Sequence, residues 1–135
     1  MKRFPEIIFC IFILLMSYSC AQESNRKTVY ELQERCGKSA EQWSKQHSEV
    51  IDYKAHYNSS LNKCIVLATL ASIAGNNVST SYSMLYDVNV NTILGQYTVR
   101  SYTDSEDHIC IIDGKNYGNE SKEKWNSFVK EMMEK

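Results

Sequence analysis

Proline is nearly missing from this 135-residue chain; its one copy is Pro5. Nothing beyond it can be a proline-rich linker or a polyproline recognition segment. Glycine is scarce too, with five copies, and neither an internal repeat nor a low-complexity tract stands out. Fibrous and repeat architectures are therefore excluded. No sign of charge dominates: 15 Lys and Arg against 16 Asp and Glu leave a formal net charge of −1. That removes both the basic footprint of a nucleic-acid binder and an acidic tail. The one long apolar run, over 7–16, is too short to cross a bilayer, which takes about 20 residues. No motif in the chain assigns a reaction, and none calls for a cofactor.

What is present begins with an address. Met1-Lys2-Arg3 is positive, the apolar run comes next, and the small residues Ser17, Ser19 and Ala21 close it. This is the three-part layout of a secretory signal peptide over 1–21. Ser19 and Ala21 stand at −3 and −1 of a cut before Gln22. The competing cut lies before Cys20, as in a bacterial lipoprotein, with lipid attached to that thiol; Ser19 suits it, whereas Ser17 and Tyr18 do not. A buried core helix fits less well, because the apolar residues run all round rather than along one stripe. The expected location is the periplasm or the extracellular medium, with membrane attachment only through Cys20.

Loss of 1–21 takes Lys2, Arg3 and Glu6 with it, which leaves 13 basic and 15 acidic residues and a formal charge of −2. The remaining length fits one small domain, expected over 28–135 behind a polar tether at 22–27. Cys10 leaves with the signal. Cys36, Cys64 and Cys110 stay, enough for one disulfide and one odd thiol in an oxidising compartment. Three pairings are open. A Cys36–Cys64 bridge would pin the first helix to a sheet; the alternative is that all three are simply buried small side chains.

Thr28-Val29-Tyr30-Glu31 reads as a capping box, with a helix to about Gln46. Leu32, Cys36, Ala40, Trp43 and His47 share one face of it. The period then changes to two. Ile51, Tyr53, Ala55 and Tyr57 alternate with polar residues, as in a half-buried strand. A dense apolar strand runs through Cys64-Ile65-Val66-Leu67-Ala68, and further strands come at 82–88, 93–102 and 109–112, separated by Asn-, Asp- and Gly-rich turns. Trp125, Phe128, Val129, Met132 and Met133 then mark an amphipathic helix, capped by Asn119 or Ser121. Short connections favour an antiparallel meander of four to five strands. The expected fold is α+β, with both helices on the same sheet face.

Several residues invite a chemical reading. His47, His56 or His108 could activate a cysteine, but no local signature marks a nucleophile pair. Asp104-Ser105-Glu106-Asp107-His108 could hold a cation, but it lacks the glycine and terminal glutamate of a calcium loop, so a solvated turn is expected and no metal site is assigned. Asn58, Asn77 and Asn119 open glycosylation sequons that double as turn and cap residues. Tyr53, Tyr57, Tyr82, Tyr86, Tyr97 and Tyr102 would form an aromatic binding surface if one sheet face stayed open; cross-strand packing is the alternative.

The run Glu34-Arg35-Cys36-Gly37-Lys38-Ser39-Ala40-Glu41-Gln42-Trp43, then His56-Tyr57-Asn58 with Leu61-Asn62-Lys63-Cys64, then Leu85-Tyr86-Asp87-Val88-Asn89, resembles a group of small uncharacterised exported bacterial proteins. The likeness covers most of the chain after the signal. It implies a bacterial source and an envelope or secreted location, and it carries no activity over. It also makes the sequons irrelevant. The expectation is a non-enzymatic protein that binds a protein or small ligand of the cell envelope. An inhibitor of an exported hydrolase is the second expectation, and a thiol-dependent enzyme the third.

Overall fold

Residues 26–46 hold no proline and space Cys36, Ala40 and Trp43 by four and three; in the computed structural model of the protein they form helix α1. The structure describes residues 26–75 and 78–134, with the backbone alone at 71–75 and 119. The signal peptide, Cys20 and positions 22–25 of the tether lie outside the described residues. Arg26 and Lys27 are already helical, so the tether does not reach 27 and Thr28 sits inside the helix rather than capping it. The chain divides into two units, 1–32 and 33–135. The described part of the first unit is the helical stretch 26–32. The second unit holds the rest of α1, the sheet and a further helix.

The sheet has six strands: β1 (Val50–Asn58), β2 (Lys63–Gly75), β3 (Val78–Asp87), β4 (Thr92–Ser101), β5 (Glu106–Ile112) and β6 (Lys115–Asn116). A 3₁₀ turn, Gly118–Glu120, leads into α2 (Ser121–Met133). Each strand pairs antiparallel with the next, so the α+β meander is as expected, with one strand more. At two residues, β6 is too short to show a period in sequence. Its turn is Asp113-Gly114, both at positive φ (48° and 78°), the conformation a two-residue hairpin needs.

The register decides the layers. Ala55 pairs with Val66 and Val66 with Tyr86, while His56 pairs with Ile65 and Ile65 with Asp87. On the first of these faces Val66, Ala68 and Tyr86 pack against Ala40 and Trp43 of α1. On the other, Ile65, Leu85 and Cys110 pack against Trp125, with Phe128, Val129, Met132 and Met133 of α2 around them. The helices therefore cover opposite faces, and the expected placement on one face is corrected. The reason lies in β2: its residues are apolar at odd and even positions alike, and such a strand needs cover on both sides.

Local chemistry supports each layer. Cys36 and Cys64 form a disulfide with Cα atoms 5.3 Å apart, joining α1 to the head of β2; this is compatible with an oxidising compartment. Gly95 lets the Phe128 ring approach so closely that a Cβ there would stand 2.9 Å from Phe128 Cε1. Neither expected residue caps α2. Its N-cap is Glu120 without a side-chain cap bond, the Asn119 side chain lies outside the described residues, and the Ser121 hydroxyl instead reaches the carbonyls of Gly118 and, at 3.2 Å, His108. No helix among the described residues is long and apolar enough to cross a membrane.

Candidate functional site

In a meander, alternate turns lie at the same end of the sheet. The β1–β2, β3–β4 and β5–β6 turns therefore form one rim, with neighbouring turns about 10 Å apart, two strand spacings. The first two turns share a construction. Tyr57 donates its hydroxyl to Asn62 Oδ1 at 2.6 Å, and Tyr86 donates its own to Asn91 Oδ1. Asn62 and Asn91 both sit at positive φ (53° and 56°), which asparagine tolerates better than most residues. The residue after each tyrosine, Asn58 or Asp87, is polar and only 1% exposed.

Those two buried polar groups are satisfied, as burial requires. Asn58 Oδ1 accepts from the Leu61 N–H at 3.0 Å, and its amide donates to the Glu131 and Met132 carbonyls at 3.2 and 3.0 Å. Asp87 Oδ1 accepts from the Asn89 N–H at 3.0 Å, and Oδ2 lies 3.4 Å from Lys63 Nζ. The Val88 N–H donates to the Cys64 carbonyl at 3.0 Å, which couples the two hairpins beside the disulfide. The turns are thus held from beneath while their apolar tips stay in water: Leu61 is 45% and Val90 64% exposed, and Ile93, in β4 beside the second turn and paired with Tyr86, is 50% exposed. Sequence reasoning missed this rim. The available signal was an aliphatic residue inside each Asn-rich turn, within a Tyr-x-x-x-x-Asn pattern too short to register as a repeat.

A second cluster lies under α2. The Tyr97 ring stacks with that of His108, with centroids 5.9 Å apart, and with that of Trp125, at 5.7 Å. Its hydroxyl is 2.7 Å from His108 Nδ1, and His108 Nε2 is 3.6 Å from Glu106 Oε2. Burial pushes the Tyr97 pKa up, so the phenol keeps its proton at neutral pH. It donates to Nδ1 when the imidazole proton sits on Nε2, facing Glu106. Cys110, opposite Tyr97 in the register, is fully buried, and burial pushes its thiol pKa up as well. A buried, protonated thiol is a poor nucleophile. With Cys36 and Cys64 joined, no thiolate–histidine pair assembles among the described residues: His108 bonds Tyr97, and His47 stacks on Trp43 with its Nδ1 2.8 Å from the Trp43 carbonyl. His56 stands on β1, opposite Ile65.

The six tyrosines make no common surface. Tyr57 and Tyr86 are buried, and Tyr53 is packed half-buried in the α1 layer. Tyr82 is half-buried on β3, Tyr97 belongs to the α2 layer, and Tyr102, 40% exposed, lies beyond the end of β4. Alternation does give most of them one face, but that face is the one α1 covers. Asp104 to His108 lead into and begin β5, and among the described residues no group of three or more His, Cys, Asp or Glu is placed to hold a metal ion. Asn58 of the first sequon is the buried last residue of β1; Asn77 and the Asn119 side chain lie outside the described residues. The indole N–H of Trp43 is buried without a hydrogen-bond partner among the described residues. No protein-family model, curated protein or solved structure matches the chain.

Proposed function

We propose that this is a non-enzymatic binding protein of an exported bacterial compartment, and that it recognises a protein partner through the rim of turns carrying Leu61, Val90 and Ile93. The observation that supports this is the pairing of exposed aliphatic tips with turn backbones already held by buried hydrogen bonds. Exposed apolar groups gathered in one place mark contact sites. Tips ordered in advance lose little conformational freedom on binding. Asn and Ser around them supply adaptable hydrogen bonds, as in antibody loops. The signal-peptide layout and the resemblance to small exported proteins support the location. Cleavage before Gln22 would leave the protein free, and cleavage before Cys20 would leave it lipid-anchored.

The test uses the wild-type protein and a Leu61→Ser/Val90→Ser/Ile93→Ser variant as paired baits in envelope extract. The wild type should retain a partner that the variant loses, at equal melting temperature. Equal retention by both would refute the rim, and repeated recovery of nothing by the wild type would refute the binding function. A panel of exported lysozymes and proteases asks whether that partner is a hydrolase held inhibited. Intact mass from membrane and soluble fractions reports the amino terminus: a diacylglycerol-sized increase on a chain starting at Cys20 marks a lipoprotein.

A further inference from the structure

Consecutive side chains of a strand point to opposite faces of the sheet, so a cavity lined by four consecutive strand residues lies against the strand's edge. One such cavity, of about 330 Å³, is lined by Glu106, Asp107, His108 and Ile109 of β5 and by Gly118 of the turn before α2. Parts of both sheet edges carry blocking groups. On β1, the Gln33 side-chain amide donates to the Ala55 carbonyl at 3.3 Å and accepts from the Tyr57 N–H at 2.7 Å, standing where a neighbouring strand's peptide group would. On β5, β6 pairs with Ile111 and Ile112, the Tyr117 N–H reaches the Cys110 carbonyl at 3.1 Å, and the Ser121 hydroxyl reaches the His108 carbonyl. Blocking of this kind is how proteins keep edges from pairing with other chains.

Ahead of the His108 carbonyl, β5 lacks such a block. Peptide groups along a strand alternate between its two neighbours. The Cys110 carbonyl points away from β4, towards Tyr117, so the peptide groups of His108 and Glu106 point that way too. The His108 N–H and the N–H and C=O of Glu106 therefore face the cavity. The side chains add charge of one sign. Asp104, Glu106 and Asp107 are all exposed, and among the described residues no cation lies within ion-pair distance of Asp104 or Asp107. The basic residue across the register from Asp107 is Arg100 on β4.

We infer that this open stretch of β5 is a strand-addition site for an extended, basic peptide segment of another protein. The segment pairs with the backbone of Glu106 and His108 and sets Lys or Arg against Asp104, Glu106 and Asp107. Strand addition draws affinity from main-chain bonds and specificity from alternate side chains. The site lies at the opposite end of the sheet from the rim of turns and does not depend on it.

The probe is a fluorescent, end-capped octapeptide alternating Lys and Val, titrated by anisotropy against the full protein. Two further peptides carry N-methyl groups at either the Lys or the Val positions, and a fourth replaces Lys by Glu. The parent should bind, and the Glu peptide should bind at least tenfold more weakly. Only alternate peptide groups of an added strand face β5, so one N-methylated peptide should lose at least tenfold and the other should keep most of its affinity. Exchange of the Glu106 and His108 amide protons should slow in the complex. Glu106→Pro, a substitution an edge strand can accept, should weaken the parent at least fivefold. Equal binding by both methylated peptides would reduce the effect to charge attraction and overturn the inference, as would no binding by the parent.

Discussion

Replacing both Cys36 and Cys64 by Ala removes the covalent link between α1 and the head of β2. The two residues are 28 apart in sequence. Closing a loop of that length restricts the unfolded chain by about 12 cal/mol/K on the chain-entropy relation, about 3.5 kcal/mol at 25 °C. On the folded side both positions are buried, and losing two sulfurs from packed sites adds about 1 kcal/mol. A domain of this size loses about 4–8 °C of Tm per kcal/mol, so a total of about 4.5 kcal/mol should lower Tm by about 18–36 °C. Urea unfolding at 25 °C measures the free energy directly. Tryptophan fluorescence suits it, because Trp43 reports the α1 layer and Trp125 the α2 layer. Reductant should lower the wild type to nearly the same stability and leave the double variant unchanged. A loss below about 1 kcal/mol would refute the reasoning, since it would mean that the bridge does not appreciably restrict the unfolded chain.

Three further outcomes are expected. Gly95→Ala places a Cβ 2.9 Å from Phe128 Cε1 and 3.3 Å from the Ile111 carbonyl, and such overpacking should cost about 1–3 kcal/mol; an unchanged Tm would show that Phe128 moves freely. Gln33→Ala strips the Tyr57 N–H and Ala55 C=O of their partner, which should cost about 1–2 kcal/mol and speed exchange of the Tyr57 amide; unaltered exchange there would mean that Gln33 does not guard the β1 edge. Stability should also fall in alkali. Burial raises the pKa of both Cys110 and Tyr97 in the folded protein, so the unfolded chain releases those protons first. The contribution is complete below the ordinary thiol value, about pH 8.5, and is lost as pH rises through the folded values. Melting temperatures from pH 7 to 11 should drop less steeply for Tyr97→Phe than for the wild type, and parallel curves would refute the assignment.

Much of the architecture is legible in the sequence because period is a local property. Trp125, Phe128, Val129, Met132 and Met133 announce α2 by spacing alone, and the turns at 89–91 and at Asp113-Gly114 fall where expected. The start of α1 is not legible, because Thr28 and Glu31 fit a capping box whether or not a helix begins there, and in the structure the helix is already under way at Arg26. The candidate site is far less legible. Tyrosines on alternate strand positions suggest a surface, yet alternation says only that they share a face, and α1 covers it. Leu61, Val90 and Ile93 stand 29 and 3 residues apart, and only hairpin pairing brings them to one rim.

The residues alone determined what depends on neighbours within a turn or two: helix and strand periods, the turns at 89–91 and at Asp113-Gly114, and the run Cys64-Ile65-Val66-Leu67-Ala68 in β2, apolar at odd and even positions alike. A strand of that kind needs cover on both sides, which the expectation of both helices on one face overlooked and the structure supplies with a helix on each. Tertiary structure decided the rest: Cys36 joined to Cys64 with Cys110 left buried, Gln33 against β1, and Ser121 bonded to the β5 backbone instead of capping α2. The reason is distance along the chain. A hydrogen bond or disulfide between residues 13 to 28 apart is selected by how the layers pack, and no local spacing encodes that choice.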